Sequence, residues 1–213
     1  IIVGVVGYAQ QAGWGPALTV LASESSGLLA SVDLATVPLF LMMGTFASAA
    51  GFSRDIYRAA ACWFGHRRGG LAYSTMGGCA VFGAVCGSST ATAATFAKAA
   101  LPEMLARGYS PAFSAGTIAA GGTLKALIPP SIVMILYCVV TKTYIFDLFY
   151  AALIPAVLAL LLNMLAVGLV VGLRPELAPV SERAQSSERW QSLREAWPVL
   201  VLMAAIFAGL YSG

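Results

Sequence analysis

The sequence predicts an all-α polytopic membrane protein whose transmembrane helices include one re-entrant helical hairpin and one span broken by glycine and a Pro-Pro pair. Of the 213 residues, 59% are hydrophobic and 10% are charged, whereas about 25% of a typical soluble domain is charged. Several apolar runs approach the about 20 residues that a helix needs to cross a hydrocarbon core of about 30 Å. Two of these runs are interrupted by glycine, proline and hydroxyl residues, which predicts non-helical backbone inside the membrane.

The composition also excludes several functional classes. The net charge is +3, and the basic residues are not clustered with aromatic residues as in a nucleic-acid groove, so we expect no nucleic-acid partner. The cysteines stand singly, without a C-x-x-C motif or a neighbouring histidine, which is typical of small buried apolar residues and not of a zinc site. They are Cys62, Cys79, Cys86 and Cys138. His66 lies beside two arginines, and we assign it no catalytic or ligand role.

The first part of the chain is predicted to enter the membrane twice. Residues 1–33 combine a partial, interrupted membrane segment with a polar connector at 22–33, and residues 34–52 form a transmembrane helix. Both ends of the chain lie in apolar runs and the first residue is not Met, so we expect a fragment of a longer protein. Residues 53–68 place Ile56, Ala59, Ala60 and Trp63 at helical spacing, which predicts an interfacial amphipathic helix.

The segment 69–105 is predicted to be the re-entrant hairpin. Its 37 residues carry charge only at Lys98 and Glu103, and GAVCGSSTATAA divides it at 83–94. Two complete spans would need about 40 residues and a turn. A hairpin that enters the membrane and returns to the same face fits this length better.

The remaining segments are predicted to be two spans, a loop and the beginning of another span. GGTLKALIPPS at 121–131 breaks the transmembrane helix at 109–141. Residues 144–173 form a long apolar span, 174–195 a polar cytoplasmic loop, and 196–213 the start of the next transmembrane helix.

The basic residues indicate an orientation, because cytoplasmic loops carry the excess of Lys and Arg. If the hairpin returns to its starting side, nine basic residues share one face, which we assign to the cytoplasm. They are Arg54, Arg58, Arg67, Arg68, Arg107, Arg174, Arg183, Arg189 and Arg194. Two short spans in place of the hairpin would give the same orientation.

The hairpin tip is the first candidate binding site. Gly87 suits a tight turn, and Ser88 or Ser89 can cap the returning half-helix, which continues with Thr90. The incoming half-helix ends in unpaired carbonyls, which suit a cation, and the outgoing one begins with unpaired N–H groups, which suit a carboxylate.

The broken span is the second candidate site. Pro129 and Pro130 have no amide hydrogen, so the carbonyls of Lys125 and Ala126 lose their helical donors. The neighbouring residues that add flexibility and hydroxyl oxygens are Gly121, Gly122, Thr123 and Ser131. Such oxygen ligands suit an alkali cation, whereas a transition metal would bind them poorly. Lys125 is an intramembrane cation and therefore a candidate modifier of coupling.

Each break has a structural explanation when it is considered alone. A Pro-Pro pair can kink a membrane helix, and a run of small residues such as GSSTATAA can serve helix packing. Together, two discontinuous elements are typical of secondary transporters. A channel can also contain a re-entrant hairpin.

Several stretches, in the same order, resemble the large membrane subunit of TRAP transporters, the DctM-type permeases. They are VPLFLMMG at 37–44, GHRRGGLA at 65–72, VCGSSTATAA at 85–94, PEMLARGYSPAFSAG at 102–116, GGTLKALIPPSIVMILY at 121–137 and DLFYAALIP at 147–155. The resemblance covers residues 30–213 well and the first thirty poorly. It implies that the chain holds one of the family's two re-entrant hairpins.

The resemblance implies an elevator-type carrier that takes up organic acids such as C4-dicarboxylates or sialic acid with sodium as the coupling ion. It implies no other cofactor. The expected partners are a small membrane subunit and a periplasmic substrate-binding protein in the bacterial inner membrane. By motif match, Ser88, Ser89 and Thr90 form the hairpin tip, and the broken span contains Gly121, Gly122, Thr123, Pro129, Pro130 and Ser131.

Lys125 and Lys98 stand where the family more often has small or apolar residues. An ammonium near a cation site could replace a bound sodium ion or repel it, so Lys125 bears on whether sodium or a proton drives uptake. The competing hypothesis is a non-transporting scaffold or truncated remnant. An enzyme is the least favoured class, because the apolar segments contain no carboxylate pair or Ser-His arrangement.

Overall fold

The computed structural model describes residues 2–30, 32–180 and 185–212, and in these ranges the regular structure is entirely helical. The predicted all-α class is therefore confirmed. The α-helices are α1 (Ile2–Ala12), α2 (Trp14–Leu29), α3 (Val32–Ala49), α4 (Phe52–Phe64), α5 (Gly70–Cys86), α6 (Ser89–Ala99), α7 (Leu101–Ala106), α8 (Pro111–Leu124), α9 (Ile132–Thr141), α10 (Ile145–Leu173) and α11 (Ser186–Ser212). A 3-10 turn, Pro175–Leu177, follows α10.

The chain divides into a small unit, Ile1–Pro38, and a large one, Leu39–Gly213. In the small unit, α1 and α2 are separated at Gly13, whose φ of 91° favours glycine. The connector predicted at 22–33 differs from the structure, because α2 continues to Leu29. The hydroxyls of Ser23 and Ser26 donate to carbonyls three residues earlier. These small polar residues therefore satisfy their hydrogen bonds inside the helix.

Helix α4 is amphipathic, and its apolar face packs against the rest of the large unit. It buries Ile56, Tyr57 and Ala61 and exposes Arg54 and Arg58. Of the predicted apolar face, Ile56 is buried, Ala59 and Ala60 are half-buried, and Trp63 is exposed. Its ring packs edge-on against Trp190 of α11 at 6.4 Å.

Helix α5 is the centre of the large unit, and α6 and α7 return along it. Nearly every residue of α5 is buried. Phe82 packs against Phe96 at 5.9 Å, and the Thr75 hydroxyl lies 3.7 Å from the Met104 sulfur. At the beginning of α5, the Leu71 N–H donates to the Tyr109 hydroxyl at 3.3 Å. The first and last residues of this hairpin therefore lie side by side.

Helix α8 runs parallel to α5, and α10 runs antiparallel to it. Close contacts join α8 to α5 at Gly121–Cys79 and Gly83–Lys125, so both helices advance in the same direction. The contacts of α10 with α5 run in the opposite order, at Gly77–Met164, Tyr73–Gly168 and Gly69–Val171. The N–H of Ser110 donates to the carbonyl of Leu177 at 3.0 Å. The end of α10 therefore meets the beginning of α8.

By length and apolar composition, two helices of the described ranges could cross a bilayer, one in Ile145–Leu173 and one in Ser186–Gly209. Length and composition alone are weak criteria, since a core helix of a soluble protein can also meet them. Helix α10 differs from such a core helix because its side chains are mostly exposed. The exposed leucines are Leu158, Leu161, Leu162, Leu165, Leu169 and Leu173.

Helix α11 begins earlier than the sequence predicts. The sequence predicts a polar loop through Glu195, but the helix begins at Ser186. Arg58 of α4 forms an ion pair with Glu195 at 2.9 Å, and the guanidinium of Arg189 lies 6.0 Å from the Trp63 ring. These contacts with α4 explain why a polar sequence is helical here. Arg183 lies outside the described residues.

Two buried tyrosines test the packing of the large unit. In the described ranges, the Tyr57 hydroxyl has no hydrogen-bond partner, and burial raises the pKa of this phenol well above its usual range. We expect Tyr57→Phe to stabilise the protein by about 1 kcal/mol, because an unsatisfied buried hydroxyl is removed. Tyr109→Phe is the matched control and should cost about 1–2 kcal/mol, since it leaves the Leu71 N–H unpaired. Thermal unfolding in detergent measures both, and equal shifts would contradict the assignment.

Candidate functional site

The first helix break lies between α5 and α6. Gly87 has a φ of 75°, and Ser88 is extended. The Ser88 hydroxyl accepts the Ala91 N–H at 3.3 Å and lies 3.1 Å from the Thr90 hydroxyl. Of the two serines that could cap the returning helix, Ser88 therefore does so, and Ser89 is the first helical residue.

The second break lies between α8 and α9, at residues 125–131. The proline pair stands in this interval, and Ser131 is buried beside it. The Ser131 hydroxyl donates to the Ala126 carbonyl at 3.1 Å. This carbonyl is one of the two that the prolines deprive of a helical donor, and a side chain replaces that donor.

The remaining predicted residues of the broken span lie in the last turn of α8. Gly121 and Gly122 are buried there, whereas Thr123 is exposed. The Thr123 hydroxyl donates to the Ala120 carbonyl of its own helix at 2.7 Å. The two glycines therefore allow neighbouring helices to approach closely, and the Thr123 hydroxyl is hydrogen-bonded within its own helix.

Lys125 is the one charged residue in the sequence of the second break, and it is buried. Its side chain is 1% exposed. The ammonium donates to the carbonyl of Ile128 at 3.4 Å and to that of Pro130. Among the described residues, no carboxylate forms an ion pair with it. The backbone carbonyls of the break are thus the partners of this charge.

Glycine contacts bring the two breaks together into one site. A methyl group at Gly122 would lie 2.8 Å from the Ala93 Cβ and 3.3 Å from the Ser89 carbonyl oxygen. A methyl group at Gly87 would lie 3.3 Å from Ile132, the first residue of α9. The turn between α5 and α6 and the start of α6 therefore contact both α8 and α9, the helices on either side of the second break.

Helix α3 packs against the end of α5, next to the first break. A methyl group at Gly44 would lie 2.7 Å from the carbonyl carbon of Cys86. The hydroxyls of Ser48 and Thr95 lie 3.4 Å apart and join α3 to α6. Sequence reasoning missed Gly44, because one glycine inside an apolar run carries no local signal of a tertiary contact. It also missed Gly83, which is spaced four residues from Cys79 and from Gly87.

The two helix ends at the first break present backbone groups of opposite polarity. The N–H groups of the first turn of α6 suit an anion, and the last carbonyls of α5 suit a cation. A separate cleft of about 790 Å³ lies at the other end of α6, and its lining includes the basic residues Arg54, Lys98 and Arg107 together with two glutamates. Lys98 is nine residues from Ser89, which is roughly 14 Å along a helix. This cleft is therefore distinct from the paired breaks.

The sequence matches the family described as tripartite ATP-independent periplasmic transporter, DctM component, over residues 1–213. It is 39% identical over 180 residues to the C4-dicarboxylate TRAP transporter large permease protein DctM of Pseudomonas aeruginosa, covering 84% of this chain and 42% of that protein. It is 34% identical over 184 residues to the ectoine/5-hydroxyectoine TRAP transporter large permease protein UehC of Ruegeria pomeroyi, covering 84% and 42%.

A further relative is the isethionate TRAP transporter permease protein DctMQ of Oleidesulfovibrio alaskensis. The identity is 36% over 128 residues, covering 60% of this chain and 20% of that protein. The chain spans less than half the length of these relatives.

The contact of α3 with the hairpin gives a test of the site's packing. We expect Gly44→Ala to destabilise the protein by about 3 kcal/mol, because the added methyl overlaps the backbone of Cys86, which cannot rotate away. Gly116→Ala is the control, since Gly116 is exposed in α8 with no atom near its Cβ position. It should be neutral or stabilising by up to about 1 kcal/mol. Thermal unfolding compares the two, and equal stabilities would show that α3 does not touch the hairpin.

Proposed function

Since this chain belongs to the DctM component family of tripartite ATP-independent periplasmic transporters, we propose that it forms the part of a permease that carries a small organic acid across the bacterial inner membrane together with a cation. The family confirms the resemblance identified from the sequence and establishes a transporter, not an enzyme. The alternative of a non-transporting scaffold or remnant is not favoured, because relatives with named substrates are permeases.

In this proposal, α5 to α7 form a re-entrant hairpin. The contact of Leu71 with Tyr109 supports it, because it places the beginning and end of the hairpin at one level. Helix α5 has 17 residues and is about 26 Å long, whereas the hydrocarbon core is about 30 Å thick. A tip at the end of α5 then lies within the membrane.

Helices α8 and α9 together form the broken span. Three residues separate the end of α9 from the beginning of α10, and α10 runs back to the beginning of α8. Its 29 residues span about 44 Å, so α8 and α9 must cover a similar distance in the other direction. The break between them then lies at the depth of the hairpin tip, as the Gly87–Ile132 contact supports.

The substrate is a small organic acid whose carboxylate binds the first N–H groups of α6. The observation that carries this proposal is the packing of the Ser88-capped helix start against the broken span. C4-dicarboxylates are the first candidates, because three relatives at 32–39% identity carry that name. Sialic acid is the other substrate implied by the resemblance.

Sodium is the proposed coupling ion, bound by carbonyl oxygens where α5 ends. Glycine contacts pack α5, α6 and α8 tightly, so these helices can move as one body. Such a body would carry the tip from one side of the membrane to the other, as in an elevator-type carrier. The multi-pass permease would work with a small membrane subunit and a periplasmic binding protein, with its basic end in the cytoplasm.

The hairpin tip gives the test of this function. We expect Ser89→Phe, made in the full-length permease with its partner subunits, to abolish sodium-driven uptake of a labelled C4-dicarboxylate into proteoliposomes. The aromatic ring would fill the space in front of the α6 N–H groups. Ala94→Phe, on the exposed side of the same helix, should retain uptake.

Unchanged uptake by the Ser89 variant would remove the tip from the substrate site. If the unsubstituted permease took up no organic acid under any ion gradient, the carrier function itself would be wrong.

A further inference from the structure

We propose that the ammonium group of Lys125 is a built-in cation that takes the place of an alkali ion at the carbonyl oxygens of the second break. The inference rests on the proposed function, because it states which of the two breaks is left for a coupling ion. In this permease, the second break needs no bound sodium, and the first break alone takes the coupling ion.

The contacts of the amine carry the proposal. A buried charge is stable only when it is paired or hydrogen-bonded, and the described residues place no carboxylate against Lys125. Its partners are instead the carbonyl oxygens of Ile128 and Pro130. Carbonyl oxygens that converge on a buried positive charge are the arrangement that binds an alkali ion, and here the charge is attached to the chain.

The packing around the side chain fixes the amine in this position. A methyl group at Gly83 would lie 3.3 Å from both the Cβ and the Cδ of Lys125. The alkyl chain therefore occupies the space that a larger residue on α5 would fill. With its stem against α5, the side chain directs its amine to the break and not to the lipid.

The same contacts oppose sodium binding at the second break. Ser131 already donates to the Ala126 carbonyl, and the ammonium donates to the carbonyls of Ile128 and Pro130. A sodium ion on these oxygens would lie within a few ångström of the ammonium, and like charges repel strongly where the dielectric constant is low. The ammonium therefore competes directly with a sodium ion for the oxygens of residues 128 and 130.

The decisive variant is Lys125→Ala in the full-length permease with its partner subunits. Removing the amine empties the site and frees its carbonyls for sodium. We expect the Hill coefficient for sodium in C4-dicarboxylate uptake to rise by about one. We also expect sodium, compared with choline, to raise the unfolding temperature of this variant more than that of the unsubstituted protein, because a new site binds the folded state. Lys98→Ala removes an exposed lysine and should change neither quantity.

Lys125→Met tests the need for a cation independently of sodium binding. Methionine keeps most of the stem but cannot donate, so we expect a lower unfolding temperature that sodium does not restore. If this variant unfolded at the temperature of the unsubstituted protein, the carbonyls would need no cation and the proposal would be wrong.

Equal sodium responses of Lys125→Ala and the unsubstituted protein would overturn the proposal as well. The unfolding experiments need no transport, so they decide the inference even if uptake of every acid fails and the proposed function is wrong. Conversely, sodium-driven uptake with no gained sodium response in Lys125→Ala would leave the function standing and reject the built-in cation.

Discussion

At the two helix breaks, backbone groups that have no partner within a helix must still form hydrogen bonds. The rest of the structure depends on this constraint. Lipid offers these groups no donors or acceptors, so non-helical backbone in a membrane must find its partners within the protein. Side chains next to each break supply them: Ser88 caps α6, Ser131 donates to Ala126, and Lys125 donates to Ile128 and Pro130. Residues of each break therefore supply hydrogen-bond partners for several of its own backbone groups, so the break can pack against other helices.

Glycine at the contact points lets this packing occur. In a bilayer, apolar side chains gain little from leaving lipid, so helices associate by close van der Waals contact through small residues. Gly44 and Gly122 each face a neighbouring helix at a distance that leaves no room for a methyl group, and a methyl group at Gly83 would press on the stem of Lys125. This explains the contrast between α5, which is buried almost throughout, and α10, which exposes a row of leucines. The site lies where the backbones approach most closely.

The helical class and the chain positions of both breaks could be predicted, because composition, glycine, proline and serine act locally. The beginning of α11 could not, since the polar residues before Glu195 become helical through contacts of Arg58 and Trp63 on a distant segment. The role of Gly44 was equally inaccessible, because nothing in VPLFLMMG shows which backbone faces it. For Lys125, the sequence placed a charge beside the proline pair, but only the folded break shows which oxygens it contacts.

The contact between Lys125 and Gly83 also has an evolutionary consequence. A methyl group at position 83 would lie 3.3 Å from the Cβ and the Cδ of Lys125, so a side chain there would press on the lysine stem. Glycine at 83 therefore favours the acquisition of a lysine at 125, whereas a chain without the lysine has room for glycine or alanine at 83. Among permeases of this family, lysine at 125 should accordingly occur mostly with glycine at 83, while glycine at 83 should also occur without the lysine.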